Sequence, residues 1–199
     1  MASGKFTGIG VGPGDPELLT LKAVRALAAA DVVIAPRTEK RDDSIALAIA
    51  RPHLRRDVEI LELVFPMVYH AGELTEAWRE NRDIIRQRLE AGQQVVFLTL
   101  GDPMFYSTYI YVFELLADSG LPIETIPGVT AFCAIASHHG TPVVEGDDVL
   151  SVVPATISPE KLEQVLAVSD RLVLMKVSRH FEQLRESLHR HGFADKALM

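Results

Sequence analysis

The sequence predicts an α/β protein of two α/β lobes, the N-terminal one with a parallel-rich sheet, and a ligand cleft between them. Three observations carry this. Short runs rich in β-branched residues alternate with amphipathic runs of helical period, the pattern of βαβ units with right-handed crossovers. Glycines gather where the apolar runs end, the place at which open α/β sheets bind ligands. The 199 residues, 48% of them hydrophobic, suffice for one large core or two small ones.

In order, KFTGIGV (Lys5 to Val11) and ADVVIAP (Ala30 to Pro36) read as strands, with a helix over Leu18 to Ala30 between them. DVEILELVF (Asp57 to Phe65) is a third strand. Glu73 to Glu90 follows as an amphipathic helix carrying Leu74, Trp78, Ile85 and Leu89 near one face, stopped by Gly92. VVFLTL (Val95 to Leu100) is almost wholly apolar, as a strand covered on both faces should be. A helix over Met104 to Ala117 ends near Gly120. The rhythm then repeats: strand LPIETI, helix Ala131 to His139 ended at Gly140, and strand VLSVV. Ser158-Pro159-Glu160 starts a further helix, and strand RLVLMKV and helix Arg179 to His191 follow. The last residues, DKALM, read as a strand beginning, so that a closing hairpin would follow. A division near Asp118 to Leu121 gives an N-terminal lobe over 1–119 and a C-terminal lobe over 120–199.

Composition excludes several classes. The net charge of −7 argues against a nucleic-acid surface, which must neutralise phosphates. No apolar run approaches the roughly 20 residues that cross a bilayer, and the N-terminus lacks a signal-peptide pattern. Cys133 is the one cysteine, so no internal disulfide or multi-thiolate metal site can form. The reading is a cytoplasmic protein with a small-molecule ligand. Basic residues in PRTEKR (Pro36 to Arg41) and ARPHLRR (Ala50 to Arg56) read first as solvated faces, and second as forks for a carboxylate-rich ligand.

Two loops share one device: VGPGDPELLTLKA (Val11 to Ala23) and LTLGDPMFYST (Leu98 to Thr108) both pass through Gly-Asp-Pro into a helical pattern. Asp15 and Asp102 suit helix N-caps, and Pro16 and Pro103 suit first helical positions. That accounts for Asp-Pro but not for Gly8, Gly10, Gly12, Gly14 and Gly101, which would let a ligand approach the backbone. The dinucleotide fingerprint fails, since Pro13 or Asp15 falls where its last glycine belongs, and no phosphate-loop Gly-Lys-Ser/Thr is present. A carboxylate at a helix start also competes with phosphate. A neutral or cationic ligand suits these loops, and a sulfonium cofactor carrying adenosine fits. A third loop, IPGVTAFCAIASHHG (Ile126 to Gly140), offers Thr130 as a cap and small residues Ala131, Ala134 and Ala136, which allow close helix–sheet packing or leave ligand space. Cys133 and Trp78 read as core residues, and His138 and His139 as dipole-favoured residues at a helix end. Lys176, Arg179 and His180 follow a strand end and could hold acid groups of a substrate.

With these three motifs, GIGVGPGDPELLTLKAVRAL, FLTLGDPMFYST and ETIPGVTAFCAIA, the chain resembles the tetrapyrrole methylase family over nearly its whole length. Within it, GDPMFYSTYIYVFELL and PMVYHAGELTEAW look like the members that methylate C20 of precorrin-2 or cobalt-factor II. Members acting on uroporphyrinogen III usually carry Gly-Gly-Asp-Pro where this chain has Leu100-Gly101-Asp102-Pro103. The resemblance implies a homodimer that binds S-adenosylmethionine and a tetrapyrrole, with no metal required. It sets the cofactor against Pro13, against Leu100, Gly101 and Asp102 with Tyr106 and Ser107, against Thr130 and Ala131, and against Met175. It also implies a one-step displacement governed by alignment, worth roughly 7–11 kcal/mol in favourable cases, in a water-poor cleft. If a base takes a proton from the substrate, Asp15, Asp102 and Tyr106 are the candidates, with capping and packing as their competing roles. Rival readings are a family member with another substrate, and a cofactor-binding protein without turnover.

Overall fold

The computed structural model describes residues 4–37, 43–66, 76–177 and 181–198. It divides into two compact units, Met1–Ala131 and Phe132–Met199.

The first unit is built on five strands: β1 (Lys5–Gly10), β2 (Val32–Arg37), β3 (Glu59–Val64), β4 (Gln94–Thr99) and β5 (Ile123–Ile126). Their spatial order is β3-β2-β4-β1-β5, and every pairing is parallel. Parallel strands buried on both faces need apolar residues at odd and even positions alike, and β4 supplies them. Val96 and Leu98 point into one core with Ile9, Val11, Ala23, Leu27, Ala46 and Ile49. Val95 and Phe97 point into the other with Phe6, Trp78, Ile85, Leu89 and Tyr109. The first face is covered by α1 (Leu21–Ala28) and α2 (Ile45–Ala50), the second by α3 (Glu76–Glu90) and α4 (Tyr109–Ala117).

The predicted strands of this unit all form. Trp78, Ile85 and Leu89 are buried as the amphipathic pattern requires, while Leu74 and the start at Glu73 lie outside the described residues. Gly92 ends α3 at φ +83. The buried Asn81 is satisfied by donating its Nδ2 to the Val64 carbonyl at 2.8 Å, pinning α3 to the end of β3. Four expectations need correction. Asp15-Pro16 opens only a short 3-10 turn, Pro16–Leu18, and α1 begins later with Thr20 as its cap, its Oγ1 accepting the Ala23 N–H at 3.2 Å. The segment from Met104 is not helical until Tyr109: as after Asp15, the Asp102 side chain closes a local turn on the Met104 N–H rather than capping an α-helix. A helix not foreseen, α2, is started by Ser44, whose Oγ accepts the Leu47 N–H at 3.4 Å. The units divide after Ala131 rather than near Asp118 to Leu121, because Ile123–Ile126 adds to the first sheet beside β1.

Of the first basic cluster, residues 38–41 lie outside the described residues. In the second, Arg55 donates to the Ala30 carbonyl at 3.0 Å and a ring nitrogen of His53 lies 3.1 Å from the Pro16 carbonyl, so part of it is structural. Glu124 on β5 pairs with Lys22 of α1 and Lys5 of β1, and these two cations hold its carboxyl below the usual range.

The second unit holds two parallel strands, β6 (Leu150–Pro154) and β7 (Arg171–Met175), with α6 (Pro159–Leu166) and α7 (Phe181–Arg190). Ala155, Leu162, Leu166 and Leu184 form its core. Ser158 caps α6 as expected, its Oγ accepting the Lys161 N–H at 3.3 Å. The helix α5 (Ala131–His139) has the predicted bounds, and Gly140 ends it at φ +63. None of its residues is buried, and Cys133 is exposed rather than a core residue. The helix is apolar on more than one face, so burial cannot be assigned from composition. Among the described residues DKALM forms no strand: Asp195 and Lys196 belong to a 3-10 turn, Ala194–Lys196.

Gly8 shows why β1 needs glycine. A Cβ there would sit 2.1 Å from the ring of Tyr109, a fully buried side chain stacked on Phe6 at a centroid distance of 5.9 Å. The Tyr109 hydroxyl shares a 2.6 Å hydrogen bond with Thr125 Oγ1, and burial raises its pKa above the ordinary value, partly offset by that bond. Gly8→Ala should therefore destabilise the fold by about 1–3 kcal/mol through overpacking. Adding Tyr109→Leu should recover part of that loss, seen as non-additivity in a double-mutant cycle by urea denaturation.

Candidate functional site

Neighbouring strands β1 and β4 send their chains opposite ways. From β1, α1 crosses one face and delivers the chain to β2, on the far side of β4. From β4, α4 crosses the other face and delivers it to β5, on the far side of β1. Adjacent connections that diverge leave an opening at the carboxyl ends of the strands, which is where such sheets bind ligands. Both Gly-Asp-Pro loops lie at this switch point, and the loop after β5 adjoins it.

The three loops meet through glycine. Gly12 and Gly101 exchange backbone hydrogen bonds, Gly101 N–H to the Gly12 carbonyl at 2.8 Å and Gly12 N–H to the Gly101 carbonyl at 3.3 Å. Both adopt left-handed φ, +78 and +71, a region open to glycine at little cost. Below them, a Cβ on Gly10 would lie 2.5 Å from both the Gly101 oxygen and the Gly128 nitrogen. A Cβ on Gly128 would lie 2.1 Å from the Gly101 oxygen. Asp102 ties the crossing together: Oδ1 accepts the Met104 N–H at 2.8 Å, and Oδ2 accepts the Gly128 N–H at 3.0 Å.

The first unit brings most of the sequence-predicted residues onto these loops. Pro13 is half-buried beside Gly12, and Asp15 is exposed, its Oδ1 accepting the Glu17 N–H at 2.8 Å. Leu100 and Tyr106 are 48% and 44% exposed. Tyr106 also has φ +49, a strained conformation for a non-glycine residue and one that clusters at functional sites. Ser107 donates its hydroxyl to the Pro103 carbonyl, closing the turn. Thr130 is half-buried after the third loop, and Ala131 opens α5 exposed. Met175 belongs to the second unit, where it closes β7 and accepts the Ala155 N–H at 2.7 Å. Lys176 after it is exposed at φ +59. Arg179 and His180 lie outside the described residues.

Two features escaped sequence reasoning. The tether from Asp102 to Gly128 joins residues far apart in the chain, and no local pattern announces it. Thr99, the last residue of β4, is 6% exposed, and its Oγ1 has no hydrogen-bond partner among the described residues. A threonine ending a run of Val, Phe and Leu was the one available signal.

A parallel sheet with glycine-lined loops at its switch point, carboxylates turned onto backbone amides and no phosphate loop defines a class of α/β proteins that take a small ligand at the strand ends. Comparison narrows the class. The family model for Tetrapyrrole (Corrin/Porphyrin) Methylases matches residues 5–198, and the chain belongs to this family. It is 37% identical over 199 residues to a cobalt-precorrin-2 C(20)-methyltransferase of Salmonella typhimurium, covering 99% of this chain and 83% of the relative. It is 36% identical to a precorrin-2 C(20)-methyltransferase of Sinorhizobium sp., covering 98% and 82%. Among solved structures, a uroporphyrin-III C-methyl transferase from Thermus thermophilus complexed with S-adenyl homocysteine matches with a TM-score of 0.64 and 25% identity, over 95% of this chain and 77% of that one.

Asp102→Asn tests the tether. One carboxamide oxygen can accept only one of the two N–H groups in this geometry, and the NH2 group then faces the other donor. The expected result is a loss of roughly 1–3 kcal/mol in urea denaturation, with faster amide exchange at Gly128 or Met104.

Proposed function

We propose that this chain transfers a methyl group from S-adenosylmethionine to C20 of precorrin-2 or cobalt-factor II, a step in building the corrin ring of cobalamin. The observation that supports it most is the crossing of Gly10, Gly101 and Gly128 at the switch point. It packs the three strand-end loops together at the switch point and sets a carboxylate at the start of each Gly-Asp-Pro turn, an arrangement that disfavours phosphate and suits a sulfonium. The 37% identity to a relative of that name over 99% of the chain supports the substrate.

The fit is good at the level of individual loops. Pro13, Leu100, Gly101, Asp102, Tyr106, Ser107, Thr130 and Ala131 are assigned to holding the cofactor, and Met175 to contact with its adenosine. When bound, S-adenosylmethionine supplies a methyl on a good leaving group, so the protein has chiefly to align and to exclude water. Asp102 has both carboxylate oxygens engaged by backbone amides, which assigns it to holding the loops and not to taking a proton. Asp15 serves its own turn through Oδ1. Tyr106, exposed and conformationally constrained, is assigned to ligand contact. We further propose a homodimer acting in the cytoplasm, which analytical ultracentrifugation and fractionation would check. No helix among the described residues is long and apolar enough to cross a membrane.

A single-turnover assay with methyl-labelled S-adenosylmethionine and either tetrapyrrole tests the reaction. Label at C20 of one of them is the expected result. Cofactor binding with no transfer to either would overturn the substrate assignment. In the same assay Tyr106→Phe should keep its rate to within about tenfold, whereas a fall of about 100-fold or more would assign proton transfer to the phenol.

A further inference from the structure

Thr99 Oγ1 is sealed from solvent and has no hydrogen-bond partner among the described residues. Valine would fill the same volume, favour the strand equally and leave nothing unsatisfied. The buried hydroxyl is thus a standing cost to the ligand-free fold, of the kind that functional sites retain.

Its position says what it serves. Thr99 lies opposite Gly10 in the parallel register of β4 on β1. Alternation along β4 puts its side chain on the face of Val95 and Phe97. On that face the Gly101 carbonyl and Gly128 amide close over Gly10, and the segment from Pro103 to Thr108 passes across to α4. Tyr106, at φ +49, lies within that segment. An unsatisfied hydroxyl and a strained residue therefore adjoin the same loop, at the mouth of the same strand.

We infer that Thr99 is a cofactor-contact residue, its hydroxyl donating to an acceptor of S-adenosylmethionine once the 103–107 turn re-seats around the bound molecule. This rests on the methyltransferase reading above. Because Oγ1 is sealed, the contact requires its surroundings to move, and the inference assigns that movement to the turn that follows β4, in which Tyr106 has φ +49.

The test compares wild type, Thr99→Val and Thr99→Ser by the urea midpoint of the ligand-free protein and by calorimetric affinity for S-adenosylhomocysteine. Thr99→Val should raise the midpoint and weaken binding roughly tenfold, the effect of one lost hydrogen bond, while Thr99→Ser binds within about twofold of wild type. Unchanged affinity in Thr99→Val overturns the inference whichever way the midpoint moves. A lowered midpoint, or a variant too unstable to fold, overturns it too, since the hydroxyl would then be satisfied in the free protein by ordered water. A wild-type chain that does not bind S-adenosylhomocysteine overturns the cofactor reading itself, an outcome distinct from binding that ignores Thr99.

Discussion

Three strands must end at one point for this molecule to have a site, and what permits it is the contact of three glycine backbones. Gly10, Gly101 and Gly128 approach so closely that a methyl group on Gly10 or Gly128 would lie within 2.7 Å of backbone atoms of the other two. Such contact can be made only if β1, β4 and β5 keep the register in which Gly10 lies beside Thr99 and Ile9 beside Ile126. Register in turn depends on which residues face each core. The loop geometry is therefore inherited from the packing of the sheet, and the ligand edge cannot be altered independently of it.

The two Gly-Asp-Pro loops show how one tripeptide is put to different uses. In the first, Asp15 accepts the Glu17 N–H of its own turn and caps a short 3-10 segment. In the second, the same carboxylate spans a local amide and the amide of Gly128. The difference is neighbourhood. β5 ends beside β1, so its following loop comes within reach of Asp102 but not of Asp15. Neither loop passes directly into an α-helix, and it is in the non-helical stretch after Asp102 that Tyr106 acquires its positive φ.

Much of this architecture is legible in the amino-acid sequence. Alternation of period exposes every strand, and the buried face of α3 can be read from Trp78, Ile85 and Leu89, since local patterns report local structure. The glycines at strand ends mark the edge of the sheet at which the three loops meet. What cannot be read is long-range. The capping rule places a helix at Met104 because it knows only adjacent residues, and the second amide held by Asp102 follows a distant strand. LPIETI falls to the second lobe on sequence grounds because nothing in a four-residue strand says which sheet it joins. Cys133 and the alanines of α5 show the same limit, since a helix apolar on several faces does not say which are covered.

The strand order has a consequence for how the chain is made. β2 and β3 lie close in sequence and pair directly, so they can associate as soon as both have left the ribosome. β1, made before either, has partners only in β4 and β5. At synthesis rates of roughly 5–20 residues per second, the first strand waits several seconds, unpaired, for Gln94 to Thr99 to emerge. It must then enter beside a strand already able to dock on β2. KFTGIG, apolar and β-prone, is for that interval an open edge with no cover of its own. The glycines that later let Tyr109 and the loop after β5 pack against β1 also lower its tendency to pair with the wrong partner in the meantime.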